Sequence, residues 1–507
     1  MRRIVAYITF LVLLASFVGC KKDRIERDEE IPKVEDVETD ESFIKDSTLY
    51  YMKLLSLWQE YLIPRNVNDI STPSTLRSLT KKYETAEDVL DFLVSLTPND
   101  PNTNKPIDRY SFLDRAGVVS SEIQDAVSTS FGMSVFYLQT QEAYNNGNNA
   151  YLYVRMVDIN SPAYVAGIRR GDRILSINGN SRIDYNVQKA EGFKSINAAL
   201  SSSSITVRWR TPTSIDTEKI IVSSQYRLNP ILSNKVLEVE GRKIGYLAFS
   251  SFVNIINKGA YTQMYTDFEK VFRDFESTGV NSLIVDLRYN GGGAVNTAEY
   301  LADRIVPISA DKKRMYTCKV NKVLSDDFKW TAQDSAFGPV NFQKKGNLNL
   351  GTVYFLVTKS TASASELLIN VLKPYMNVQV IGSEKTYGKP VGFFGIPIER
   401  GKEKVEIYAT SFQMFNADAF GDYFGGLALN KTTREDFLKD FGDPQEGFIA
   451  EAILHITKGY YSTATKSAIA TADRIRNENS RNIMNVNKRV SDLGMFKFNE
   501  ETLRLKE

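Results

Sequence analysis

Apolar side chains recur along this chain in three successive rhythms. Between Phe43 and Leu62 the spacing is helical: Tyr51, Leu54, Leu55, Trp58 and Leu62 fall on one face, and Pro64 ends the run. A second helix is predicted over residues 86–96, where Val89, Leu90, Leu93 and Leu96 form a stripe. Thr85 precedes it and Asp88 stands three residues on, a variant of the capping box. These helices make residues 43–115 a small helical segment. Its expected role is to pack against the domains C-terminal to it. From 128 to 226 the rhythm shortens to β-like runs (YLYVRMV, RILSIN, SITVRWR, KIIVSS) separated by Gly, Asn and Ser turns. From 228 to 458, short apolar strands alternate with helices. Ser282–Leu287 is a strand, followed by a glycine loop and a helix from about Ala294 to Ile305. Thr352–Val357 is another, followed by a small-residue loop and a helix from about Ser363 to Lys373, after which Val378–Ile381 returns as a strand. Strand–loop–helix–strand units imply a sheet with parallel crossovers. The fold class expected is multidomain α/β with a mixed sheet. Residues 459–507 are rich in Ser, Thr, Asn, Lys and Arg and are expected to form peripheral helix or disorder.

The first 20 residues, MRRIVAYITFLVLLASFVGC, stand apart from these rhythms. Arg2 and Arg3 precede an apolar run from Ile4 to Val18, too short for a membrane span of about 20 residues. A secretory signal is the expected reading. The ending Phe17-Val18-Gly19-Cys20 resembles a bacterial lipoprotein signal, which implies lipidation of Cys20 and a chain tethered to a membrane of the bacterial cell envelope, facing the periplasm or the exterior. Residues 28–41 carry eight acidic side chains against Lys33 alone, so 21–42 reads as an acidic flexible tether.

Composition narrows the chemistry. The 507 residues contain one histidine and two cysteines, at a formal net charge of +2. A His-rich metal site and a cysteine cluster are excluded, and near-balance of charge argues against a polyanion partner. With Cys20 lipidated, Cys318 has no partner within the chain and reads as a strand thiol. Any imidazole-based triad would have to use His455, which sits in a helical pattern beside Ala452, Ile453 and Ile456 and reads as a packing residue.

Two strings lie in the β-rich section. SPAYVAGIRRGDRILSING, residues 161–179, predicts a short helix opened by Ser161-Pro162 and closed by Gly167, a turn at Gly171-Asp172, and a strand from Arg173 to Asn178. Upstream stands Ser130-Phe131-Gly132-Met133. Together they resemble a PDZ domain over residues 128–226. The resemblance implies that the Phe131-Gly132-Met133 loop holds a terminal carboxylate while a peptide adds as a strand.

Three further strings carry candidate chemistry. Asp286-Leu-Arg-Tyr-Asn-Gly-Gly-Gly293 follows a strand, but its spacing fits neither a dinucleotide fingerprint nor a phosphate loop. Thr361-Ala-Ser-Ala-Ser-Glu366 places hydroxyls at a helix start, where free N–H groups suit either simple capping or an oxyanion. Thr386-Tyr-Gly-Lys389 supplies a lysine. Such a lysine is a base near neutrality only if burial lowers its pKa.

Taken together, these strings resemble the C-terminal processing peptidases, also called tail-specific proteases. The resemblance covers roughly residues 128–440. It implies that 228–458 is a serine protease core with Ser363 as nucleophile and Lys389 as base. It also implies backbone N–H groups of Ala364 and of Gly292 or Gly293 as oxyanion donors, with Thr386 and Glu366 in support. Ser365 and Lys385 are the runners-up. Phe393 stands where other members carry glutamine, and Lys373-Pro374 where they often carry an acidic residue or glutamine, so the third orienting group is missing or comes from elsewhere. The implied activity is endopeptidase cleavage of extended polypeptides captured by their C-termini, with no metal, nucleotide or other cofactor and no nucleic acid. The alternative is a weak or inactive pseudo-protease whose PDZ domain serves as a peptide-binding scaffold.

Overall fold

The computed structural model describes residues 38–147, 149–463, 481–486 and 494–497. Cys20, the apolar leader and most of the acidic run lie outside these residues. Helix α1 (Asp40–Leu55) opens the described chain. The predicted run to Leu62 breaks at Ser56. There the Lys53 ammonium donates to the carbonyls of Gln59, Leu62 and Arg65 at 3.0, 3.2 and 3.2 Å and folds the next turn back. Helix α2 (Ala86–Ser95) carries the capping box, with both Thr85–Asp88 bonds made. Both helices share one apolar core with the section after 228, so the helical segment is part of that body.

The middle section is an antiparallel sheet of β1 (Met133–Gln139), β2 (Tyr151–Val157), β3 (Arg173–Ile177), β4 (Ser204–Arg210) and β5 (Asp216–Val222), in that order, with helix α3 (Tyr185–Ala190) among its connections. The short helix at Pro162–Ala166 forms as predicted. Ser161 caps it and Gly167 ends it at φ 103°, a left-handed value that glycine adopts without strain.

Two sheets build the large core. In the first, β6 (Ile231–Val239) forms a hairpin with β7 (Arg242–Phe249). Strand β7 then runs parallel to β8 (Ser282–Asp286). Helix α4 (Val295–Ile305) leads away from the glycine loop to β9 (Arg314–Lys319), which belongs to the second sheet. The chain returns to the first sheet as β10 (Thr352–Val357), parallel to β8. After helix α5 (Ala364–Leu372) it continues as β11 (Asn377–Gly382), parallel to β10. The second sheet is built on the long hairpin of β12 (Val391–Arg400) and β13 (Glu403–Asn416), with β9 paired to β13. Helix α6 (Gly447–Lys458) packs on the first sheet, where its Phe448, Ile449 and Ala452 join Tyr246, Ile284 and Leu356.

The last two strands depart from expectation. Residues in the polar tail form β14 (Arg481–Asn485), which pairs antiparallel with β1, and β15 (Met495–Lys497), which lies parallel to β12 and to Gly293-Ala294. Polarity pointed to a peripheral tail. These segments instead find open strand edges inside the molecule, and backbone pairing asks little of side-chain polarity.

Candidate active site

Ser363 occupies the turn that hands β10 to α5, immediately before the helix. Its backbone sits at φ 62°, ψ −110°, a conformation that costs a non-glycine residue roughly 1–3 kcal/mol. Such a turn lifts a side chain out of the sheet plane, toward the free N–H groups at the helix start. The turn is fixed from both sides: Thr361 Oγ1 donates to the Leu287 carbonyl (2.7 Å), and the Ala362 N–H donates to that of Asn290 (3.1 Å). Ser365, the runner-up nucleophile, also donates its hydroxyl to the Asn290 carbonyl at 3.0 Å. The Ser363 hydroxyl is buried and has no hydrogen-bond partner among the described residues.

The glycine loop lies against this turn. Asn290 anchors it through Nδ2 to the Phe249 carbonyl (3.0 Å), and its Oδ1 accepts the Gly292 N–H (2.9 Å). The Gly292 N–H is thereby engaged, which narrows the expected pair of glycine donors toward Gly293. Gly293 has φ 138°, and a side chain there would meet the Phe252 carbonyl oxygen at 2.3 Å, so only glycine fits. A methyl group on Gly292 would stand 3.1 Å from both the Ala364 nitrogen and Ser363 Cβ, which shows how closely loop and turn approach.

Lys389 is brought to the same place by Glu366. This carboxylate is fully buried in the first turn of α5. It accepts the Ser363 N–H at 2.9 Å, the Thr386 hydroxyl at 2.5 Å, and the Gly388 and Lys389 N–H groups at 2.8 Å each. Thr386 Oγ1 in turn accepts the Leu427 N–H. Burial raises the Glu366 pKa above its ordinary value, and the four donors pull against that rise. One carboxylate thus holds the backbone of Ser363 and that of Lys389.

The Lys389 side chain is 2% exposed. Its Nζ lies 3.7 Å from the centroid of the Phe393 ring and 5.0 Å from that of Tyr110. Desolvation drives its pKa well below the ordinary lysine value, while Asp108 and Glu366 pull it back up. Phe393, the departure noted in the sequence, is therefore part of the lysine's apolar wall. Tyr110 and Asp108 were not legible as site residues. Tyr110 donates to the Gly388 carbonyl at 3.0 Å. Asp108 accepts from Ser111 and Thr410 and is buried enough to raise its own pKa. Both come from the stretch behind the helical segment, where no motif marked them. Lys385 is exposed and Lys389 is not.

The remaining candidates lie elsewhere. His455 Nδ1 pairs with the Tyr354 hydroxyl at 2.8 Å, and its ring stacks on Tyr461. Cys318 is a half-buried strand thiol whose pKa burial pushes up to about 12. The Phe131-Gly132-Met133 loop runs into β1. The Gly132 carbonyl accepts the Asp158 N–H at 2.8 Å, and its N–H donates to Ser130 Oγ at 3.1 Å. The edge of β1, where a captured peptide would add, carries β14.

The PDZ-like section meets the core through a buried charge cluster. Arg170, in the turn before β3, pairs with Glu435 at 2.8 Å and donates to the Tyr289 hydroxyl at 3.0 Å. Arg288 pairs with Asp286, Glu435 and Glu446 at 2.8, 3.2 and 2.9 Å. Tyr289 also donates to Glu435 and immediately precedes Asn290 of the glycine loop.

Residues 243–418 match the model of peptidase family S41, and residues 153–192 match that of the PDZ domain. The carboxy-terminal processing protease CtpB of Bacillus subtilis (strain 168) is 26% identical over 254 residues, 49% of this chain and 46% of that protein. The carboxyl-terminal-processing protease of Picosynechococcus sp. is 25% identical over 233 residues, 45% of this chain and 48% of that one. The chain thus matches about half the length of these relatives. A crystal structure of a candidate S41 protease from Bacteroides fragilis NCTC 9343 superposes with a TM-score of 0.57 at 22% identity, covering 86% of this chain and 99% of that one, a likeness of fold. Motifs and matched segments agree: residues 243–418 are similar to peptidase family S41, residues 153–192 are similar to the PDZ domain, and about half of the chain is similar to carboxyl-terminal processing proteases.

Proposed function

We propose that this chain is a lipid-anchored serine endopeptidase of the bacterial cell envelope, which takes the C-terminal end of an extended polypeptide in its PDZ domain and cuts peptide bonds with a Ser363–Lys389 dyad. The observation that carries the reading is the shared Glu366 carboxylate, which fixes a strained serine and a desolvated lysine to one point. A neutral Lys389 accepts the Ser363 proton as Oγ attacks the scissile carbonyl carbon. The N–H groups of Ala364 and Gly293 stabilise the oxyanion. Lys389 then gives its proton to the leaving amine. Water, deprotonated by the same lysine, releases the acyl group. The anchor and the compartment rest on the string ending in Cys20.

The test incubates residues 21–507 with unstructured proteins bearing apolar C-termini, beside Ser363→Ala, Lys389→Ala and His455→Gln. Wild type and His455→Gln should cleave, and the other two should not. Full activity of Lys389→Ala would remove the dyad. Binding of C-terminal peptides without any cleavage would make the protein a scaffold instead.

A further inference from the structure

We infer that residues 481–486 and 494–497 of this chain are inhibitory segments acting in cis, the first filling the peptide groove of the PDZ domain and the second the protease cleft. The inference rests on the peptidase reading for the meaning of the cleft, and on geometry for its occupancy.

The first contact is with the PDZ sheet. β14 lies antiparallel to β1, with Asn485 opposite Phe136, Met484 opposite Tyr137 and Arg481 opposite Gln139. The Val486 N–H donates to the Val135 carbonyl at 3.1 Å. The segment therefore runs toward the Phe131-Gly132-Met133 loop, the direction in which an added peptide strand would approach it. Met484 and Val486, two residues apart and so on one face of the strand, pack on the apolar core of this domain.

The second contact is with the catalytic residues. A methyl group on Gly292 would lie 2.9 Å from the Gly494 carbonyl oxygen, and 3.1 Å from both the Ala364 nitrogen and Ser363 Cβ. The Gly494 carbonyl thus stands beside the N–H groups expected to receive an oxyanion. A side chain on Gly494 would meet Lys389 Nζ at 2.2 Å, and Gly494 holds φ 144°, so glycine is the residue that lets a backbone pass beside the base. Beyond it, β15 is stitched between Gly293-Ala294 and β12. Phe496 is buried against Phe393 and Tyr408, at ring separations of 5.5 and 5.3 Å. Phe393 is the ring that also faces Lys389. The consequence is a closed site: Ser363 is 0% exposed. A substrate backbone has to take the place of Gly494–Lys497 to reach that hydroxyl. Occupancy alone carries the inference, and no bond need break.

The test uses the full chain with Gly494→Val, which forces a branched side chain onto Lys389, and separately with Met484→Asp, which puts a charge on the PDZ core. Cleavage of an unfolded protein substrate should rise about tenfold in each, the factor expected when the open form is about a tenth of the resting population. A synthetic peptide of residues 481–497 should restore inhibition, and the same peptide with Gly494→Val should not. A fluorescein-labelled 481–497 peptide, followed by anisotropy, should bind both variants and the wild type at least about tenfold more weakly. Circular dichroism and thermal melting confirm that each variant is folded. Equal cleavage and equal peptide binding by wild type and variants would overturn the inference and leave the peptidase reading standing. Peptide binding confined to the variants, with cleavage by none, would uphold the segment and remove the peptidase.

Discussion

Lys389, as the proposed base, illustrates how one buried residue would set both a rate and a cost. A buried lysine with a depressed pKa is neutral over a pH range in which an exposed lysine, at about 10.4, stays charged. Peptide cleavage should therefore rise with pH through a value well below the ordinary one. A profile that rises only near 10 would contradict the assignment. The same shift has a sign for stability. Between the lowered folded value and the unfolded value the unfolded chain binds the extra proton, so stability increases with pH across that window and is penalised below it. Lys389→Met keeps the length, removes that penalty and rests on Phe393 and Tyr110. It should abolish cleavage while raising stability by about 0.5–2 kcal/mol, read as a higher thermal midpoint. An unchanged or lower midpoint would mean that the ammonium is accommodated.

At the scale of elements, the site is a meeting of three: the turn into α5, the glycine loop after β8, and the 386–389 loop before β12. Glu366 is what makes the first and third one body. Glu366→Gln keeps the size but replaces one acceptor oxygen by an amide donor, facing donors from Thr386, Gly388, Ser363 or Lys389. Each buried donor left unpaired costs about 1–3 kcal/mol. The expected result is a kcat at least about tenfold lower with KM little changed, since 1.4 kcal/mol lost in the transition state is about tenfold in rate. A raised KM with normal kcat would place Glu366 in substrate binding instead. Much of this was legible. The runs ending at Asp286 and Val357 were strands because they are short, apolar and followed by small residues, and TASASE and TYGK named the two loops. Asp108 and Tyr110 were not legible, because they reach Lys389 only through tertiary packing of a stretch with no periodicity. Phe393 was visible only as a departure, and its contact with the ammonium comes from the register of β12. The strands at 481–485 and 495–497 were not legible for a related reason. Their pairing in two sheets depends on which edges lie open, which no local pattern encodes.

At the scale of the whole molecule, the PDZ section and the core share the Arg170–Glu435–Arg288 cluster. Removing one partner of a buried ion pair leaves the other desolvated and uncompensated, at about 3–5 kcal/mol. Arg170→Ala should lower the thermal midpoint clearly, measured by calorimetry, whereas Arg210→Ala, whose partner Asp216 lies with it at the surface, should change it little. Equal midpoints would show that the cluster is dispensable. The cluster also touches Tyr289, one residue from Asn290, so hydrogen bonds link the PDZ-like section to the loop that lies against the serine turn.

The strand pairing of residues 481–486 with β1 carries a further consequence. A competitor that is part of the same chain is never diluted. Short flexible links give effective concentrations in the millimolar range, set by geometry and not by how much protein is present. A substrate end that binds the groove at micromolar strength meets a rival present at a fixed local dose. The response to substrate should then show a threshold that does not move when the protein is diluted a hundredfold, as a self-associating inhibitor's would. Chain connectivity, in this molecule, acts as a concentration.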